Sequence, residues 1–118
     1  MATTWLEDYF EAWGGTDPDK VVSYMTDDVE FEDTTMKHPS SGKEKVRRFV
    51  ALCFKMVPDV KYEVVDFHLT DDAYWAEWIM QPNGVRGSSV GKVRDGKISY
   101  NHDYWDGREF QPEKPAKD

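Results

Sequence analysis

The sequence predicts an α+β fold, with three N-terminal helices packed on one face of a strongly curved, mostly antiparallel sheet that encloses a pocket. Two observations carry this. As far as Val57, apolar residues recur mainly at helical spacing, behind serine, threonine or aspartate caps. From Val60 onward every segment alternates as strands do, and Asn83-Gly84 and Asp95-Gly96 are hairpin dipeptides. Helices followed by hairpins make a layered α+β domain. A bent sheet closed by helices forms a cone with an interior.

Thr4-Trp5-Leu6-Glu7 reads as a capping box, and Trp5, Tyr9 and Trp13 follow at helical spacing. Gly14-Gly15 is expected to end that helix in a left-handed cap. Asp17-Pro18 opens a short second helix through Val21, Val22 and Met25, and Val29 and Phe31 alternate with acids as a short strand. After a loop from Thr34 to Ser40, Ser41-Gly42-Lys43-Glu44 reads as a second capping box. It precedes the longest helix, whose buried face is Val46, Phe49, Val50, Cys53 and Val57 and which Pro58 stops. Strands are expected over Tyr62 to Leu69, Ala73 to Met80, Val85 to Arg94 and Lys97 to Trp105. Residues 1–107 are read as one domain, and 108–118, with two prolines and no periodicity, as a frayed tail.

With 118 residues the chain has room for one domain. Aromatic content of 14% supplies large side chains for a core. The net charge of −8, without a Lys/Arg stripe, argues against a nucleic-acid partner. Cys53 stands alone, which points to a reducing, cytoplasmic compartment, and its place on an apolar helix face makes it core filler rather than a nucleophile. No apolar run is long enough for a membrane partner, and the first residues lack the pattern of a signal peptide. His38, His68 and His102 fit no metal-ligand spacing, and no phosphate loop or serine-nucleophile motif is present, so neither metal nor cofactor is expected.

Two stretches outline an aromatic-walled pocket containing acids: Tyr9 to Asp33, and Gly91 to Asp106. An apolar wall raises a carboxyl group's pKa toward neutrality, which suits proton transfer. On the last strand, alternation puts Asn101, Asp103 and Trp105 on one side and His102 and Tyr104 on the other. The tryptophan favours the first set as the cavity side. Trp75, Glu77 and Ile79 alternate against Tyr74, Ala76 and Trp78. The sequence does not choose between the two sets, and Trp75 and Glu77 stand as lining candidates. With Trp13, Phe31, Phe54, Ser89, Asn101 and Trp105 they form the expected substrate-binding set.

These stretches resemble the nuclear transport factor 2-like superfamily, the cone-shaped fold of ketosteroid isomerases, SnoaL-type polyketide cyclases, limonene epoxide hydrolases and scytalone dehydratase. The resemblance runs from Thr4 to about Trp105 and is strongest over Tyr9 to Gly42 and Asp95 to Asp106. It implies that Tyr9 hydrogen-bonds a substrate oxygen, that Asp33 shuttles a proton, and that Asp103 acts as general acid or base. Departures exist. The strand Gly87-Ser88-Ser89-Val90-Gly91 lacks the second oxyanion acid of the isomerases, and Tyr74 to Met80 supplies Glu77 but no arginine for an epoxide-hydrolase triad.

The expected function is therefore a cofactor-free acid/base enzyme of cyclase, isomerase or dehydratase type. Its partner would be a hydrophobic, carbonyl-containing polyketide-, terpenoid- or steroid-like ligand. The alternatives are a non-catalytic ligand-binding or dimerisation domain of the same fold, and an epoxide hydrolase. Plainer roles stand beside these. Asp33, followed by two threonines, is placed to cap a turn; Tyr9 on an amphipathic helix is a core aromatic; His38 is a surface residue. A homodimer is expected, because the uncovered sheet face should carry several of Tyr62, Trp78, Tyr100 and Tyr104.

Overall fold

A computed structural model of the chain describes residues 4–106. The tail expected over 108–118 lies outside the described residues. Helices α1 (Trp5–Trp13), α2 (Pro18–Val22) and α3 (Lys43–Met56) pack on a curved, unclosed six-stranded sheet. The strands are β1 (Met25–Asp33), β2 (Ser40–Ser41), β3 (Lys61–Leu69), β4 (Ala73–Gln81), β5 (Arg86–Arg94) and β6 (Lys97–Trp105). Their order is β2-β1-β6-β5-β4-β3. All neighbours are antiparallel except β1 and β6, which run parallel. The α+β class is the one the sequence predicts.

The first cap forms as expected. Thr4 Oγ1 accepts from the Glu7 N–H at 3.3 Å, and Glu7 Oε1 accepts from the Thr4 N–H at 3.0 Å. Gly14 then ends α1 at φ −86°, not in the left-handed region, and its carbonyl accepts from Lys61 Nζ at 2.6 Å. The second cap is corrected. Gly42, at φ +91°, holds the N-cap of α3 with no side-chain bond. Ser41 is drawn away because it pairs with Glu30 in the β2–β1 ladder and donates its hydroxyl to Glu30 Oε2 at 2.7 Å. The second helix stops at Val22, and Met25 already begins β1.

Asp95 and Gly96 both take positive φ, 54° and 76°, as a two-residue hairpin requires. Breaks in register fall at Val65 of β3 and Ser99 of β6. Such bulges bend strands and reverse the facing of the residues beyond them. The core lies between the concave sheet face and the helices, with Leu6, Val21, Val46 and Val50 sealed against Met25, Val29 and Ile98. No helix among the described residues is long and apolar enough to cross a membrane.

Candidate functional site

The concave face leaves a cavity of about 580 Å³ between α1, α3 and the sheet. Helix α1 contributes Tyr9, Phe10 and Trp13, and α3 contributes Phe49, Cys53 and Phe54. The floor is Tyr62, Trp78, Met80 and Ser89, and Asp33, Asp103 and Trp105 complete it from the ends of β1 and β6. Leu52 and Met56, 52% and 69% exposed, also line it and mark its opening.

Asp103 is held by two chains of hydrogen bonds that meet on one oxygen. Ser89 donates its hydroxyl to Oδ1 at 2.5 Å, and Asn101 Nδ2 donates to the same oxygen at 2.8 Å. Behind Ser89, Trp78 Nε1 donates to Oγ at 2.9 Å. An indole N–H only donates, so Ser89 accepts there and its own hydrogen points at Asp103. Behind Asn101, the Tyr74 hydroxyl donates to Oδ1 of the amide, which fixes the amide with its NH₂ toward Asp103. Both donors are occupied, so Asp103 Oδ1 can only accept. Oδ2 receives no hydrogen bond among the described residues. A proton held by Asp103 therefore resides on Oδ2.

That proton is held near neutrality. Burial pushes the Asp103 carboxyl up to about 7; the Ser89 and Asn101 bonds oppose the rise, and the charge of Asp33 adds to it. Tyr9 is raised well above its ordinary value by burial and then by the Asp103 charge, partly offset by a bond from Trp13. Burial first, and then Asp103, also raises Tyr62. Both phenols stay protonated and can donate. Burial, reinforced by Asp33 and Asp103, pushes the Cys53 thiol up to about 12, which keeps it from acting as a thiolate nucleophile.

Asp33 is the direct register partner of Asp103, and both carboxyls reach the cavity. Its oxygens are occupied. Oδ1 accepts from the Thr35 N–H at 2.8 Å and the Thr35 hydroxyl at 2.6 Å, a turn-capping arrangement. Trp105 Nε1 lies 3.1 and 2.9 Å from Oδ1 and Oδ2.

Of the residues singled out from sequence, Tyr9, Trp13, Asp33, Phe54, Ser89, Asp103 and Trp105 share this cavity. Asn101 sits behind Asp103, buried and bonded to it. Phe31 does not line the cavity. It is wedged between Trp13 and Phe49, with ring centroids 6.2 and 5.5 Å away. Trp75 and Glu77 are corrected, because Tyr74, Ala76, Trp78 and Met80 fill the inner face of β4 and turn both of them outward. Trp75 stacks on His68, and His102 on Tyr104, across the convex face. Of the four aromatics expected on that face, Tyr104 is exposed and Tyr100 bonds Glu32 there, whereas Tyr62 and Trp78 face inward. His38 is exposed.

Sequence reading passed over Tyr62, Trp78, Met80, Leu52 and Met56 as lining residues. The signal for Trp78 was its spacing of two from Ala76 and Met80. For Leu52 and Met56 it was their helical spacing of four on α3. Among the described residues no cluster of His, Cys, Asp and Glu could hold a metal ion.

This cone with an acid in an aromatic pocket is the architecture of a known class. The SnoaL-like domain profile matches residues 6–101, and the chain belongs to that family. Solved structures agree in fold. A protein with a ketosteroid isomerase-like fold from Catenulispora acidiphila, in complex with trimethylamine, superposes with a TM-score of 0.79 at 18% identity, covering 88% of this chain and 86% of that one. A SnoaL-like protein of unknown function from Burkholderia thailandensis gives 0.75 at 18% identity, with 87% and 92% covered. A SnoaL-like protein from Agrobacterium tumefaciens, provisionally assigned as an isomerase, gives 0.72 at 15% identity, with 86% and 94% covered. No match was found among curated proteins.

Proposed function

We propose that the protein is a proton-transfer enzyme of isomerase, cyclase or dehydratase type, acting on an apolar carbonyl compound with Asp103 as its acid/base. The observation that carries this is the Asp103 carboxyl on the cavity wall, whose Oδ2 receives no hydrogen bond among the described residues and whose proton affinity burial raises toward neutrality. A carboxyl with a pKa of about 7 is half ionised at neutral pH, where a general acid/base works best. In its ionised form Asp103 takes a proton from the carbon beside the substrate carbonyl. The C–H electron pair moves into an enolate, and the enolate oxygen accepts a hydrogen bond from Tyr9, assisted by Tyr62. Asp103 then returns the proton to another carbon or to a departing oxygen. In this scheme Asp33 orients Trp105 and raises the proton affinity of Asp103 by its charge.

A second reading, a non-catalytic ligand-binding domain, draws support from the bonds of Thr35 and Trp105 to Asp33, which leave Asp103 as the acid with an oxygen to spare. Epoxide hydrolysis gains no support, since no arginine lines the cavity among the described residues. The experiment is a thermal-shift screen of apolar ketones, enones and epoxides, followed by turnover assays on the ligands that stabilise the protein. Asp103→Asn should lower turnover by roughly a hundredfold or more with little loss of affinity. Ligands that bind and are never converted would favour the second reading.

A further inference from the structure

We infer that the ligand of this cavity carries a positive charge, as an apolar ammonium compound held against the aromatic wall between Asp33 and Asp103. The inference rests on the proposal that the cavity is a ligand site; it does not require that Asp103 turn the ligand over.

The charge balance of the cavity is the first support. Its described lining carries the carboxyls of Asp33 and Asp103 but no lysine, arginine or histidine. Among the described residues no cationic side chain contacts Asp33 or Asp103, and each side-chain bond of Asp33 is one its carboxylate accepts. Negative charge in a partly closed space is costly, and either a proton on Asp103 or a cationic ligand relieves it. The walls are the second support. Trp13, Tyr62, Trp78 and Trp105 surround the space, and aromatic faces attract ammonium groups most strongly where water is excluded. The volume, about 580 Å³, suits a small organic ligand. The third support is Asp103, which lines this space and whose Oδ2 receives no hydrogen bond among the described residues.

A cation has a pH signature opposite to that of a neutral ketone. The titratable groups facing Asp103 are Tyr9 from α1, Cys53 from α3, Asp33 from β1, Tyr62 from β3 and Tyr74 from β4. The three phenols and the thiol are all raised and stay neutral around pH 7. A bound cation favours ionised Asp103, so its affinity rises with pH. A ketone accepting from protonated Oδ2 loses affinity as pH rises.

Benzyltrimethylammonium, whose charge is fixed, and its uncharged isostere neopentylbenzene test this on the wild-type protein by thermal shift and calorimetry. The ammonium should bind about tenfold or more tightly than the isostere. Its affinity should increase several-fold, up to about tenfold, between pH 6 and pH 8. Asp103→Asn should remove that pH dependence; if the variant fails to fold, the two probes at two pH values on wild type decide alone. Equal binding of both probes, or ammonium binding indifferent to pH, would overturn the inference. A neutral ketone that is turned over and binds more weakly as pH rises would overturn it while leaving the proposed enzyme standing. If neither probes nor ketones bind, both fall.

Discussion

Asp33 and Asp103 are direct partners across the parallel β1–β6 pair, yet their carboxyls are held in opposite ways. Asp33 has both oxygens engaged, by Thr35 and by the indole of Trp105. Among the described residues, both side-chain bonds to Asp103 fall on Oδ1. Two like acids on adjacent strands are thereby held differently, one engaged through both oxygens and one through a single oxygen. The charge of the first helps keep the proton on the second.

The chains behind Asp103 predict graded effects. Ser89→Ala removes a donor that favours the ionised carboxyl, so the Asp103 titration should move up from about 7. Trp78→Phe leaves Ser89 in place but frees its hydroxyl to turn, and should move the titration the same way by less. Carbonyl-carbon NMR of the carboxyl checks both. A downward shift in Ser89→Ala would show that the hydroxyl does not donate to Asp103.

Stability should depend on pH through the same group. The folded-state pKa, about 7, lies above the ordinary 3.8. Between those values the folded protein holds a proton that the unfolded chain has released. Stability is therefore greatest at the acid end of that window, falls as pH rises through it, and levels off above 7. Asp103→Asn should flatten this fall and recover up to about 4 kcal/mol at pH 8, measured by denaturant melts. An unchanged slope would place the proton elsewhere.

Two glycines of β5 make room for the residues behind the acid. A Cβ on Gly87 would lie 2.2 Å from the Trp78 ring, and one on Gly91 2.3 Å from the Tyr74 ring and 2.5 Å from the Tyr100 carbonyl. Gly91→Ala should cost about 2 kcal/mol or more in thermal or chemical unfolding, because one of its neighbours is backbone. Gly87→Ala should displace Trp78 and disturb the Asp103 titration as Trp78→Phe does.

The caps of the two long helices should behave differently. Thr4→Ala should cost about 1 kcal/mol, because Thr4 both accepts from Glu7 and is bonded back by it. Ser41→Ala should stay within about 0.5 kcal/mol, since its bond to Glu30 is exposed and caps nothing. Denaturation midpoints compare the two directly.

On the convex face Val65, Trp75, Val90 and Tyr104 are exposed together, the kind of apolar surface that pairs with a second copy. A dimer mass by light scattering at micromolar concentration is expected, with Trp75→Lys reducing it to monomer. A monomer mass for the wild type would contradict this pairing.

Much of the fold was legible because local signals and tertiary structure agree. Asn83-Gly84 and Asp95-Gly96 set the hairpins, so β3 to β6 fall within a residue of their expected bounds. The acid on β6 was legible too, since alternation put Asp103 with Asn101 and Trp105, away from His102. Facing was not legible across bulges. The extra residue at Val65 lets Tyr62 and Val64 face inward together with Phe67 and Leu69, which strict alternation forbids. For β4, two apolar sets compete, and only packing against α1 and β5 decides that Trp78 enters and Trp75 does not. Ser41 looked like a cap because its spacing to Glu44 is right, but its bond to Glu30 comes from a strand eleven residues earlier.

The most direct measurement is the titration of the Asp103 carboxyl itself, by NMR of selectively labelled aspartate with Asp103→Asn to assign the signal. A midpoint near 7, moving down when a cation occupies the cavity, is the predicted result. A midpoint near 4 would mean that the carboxyl is ionised and inert at working pH, and would contradict its role as the proton carrier.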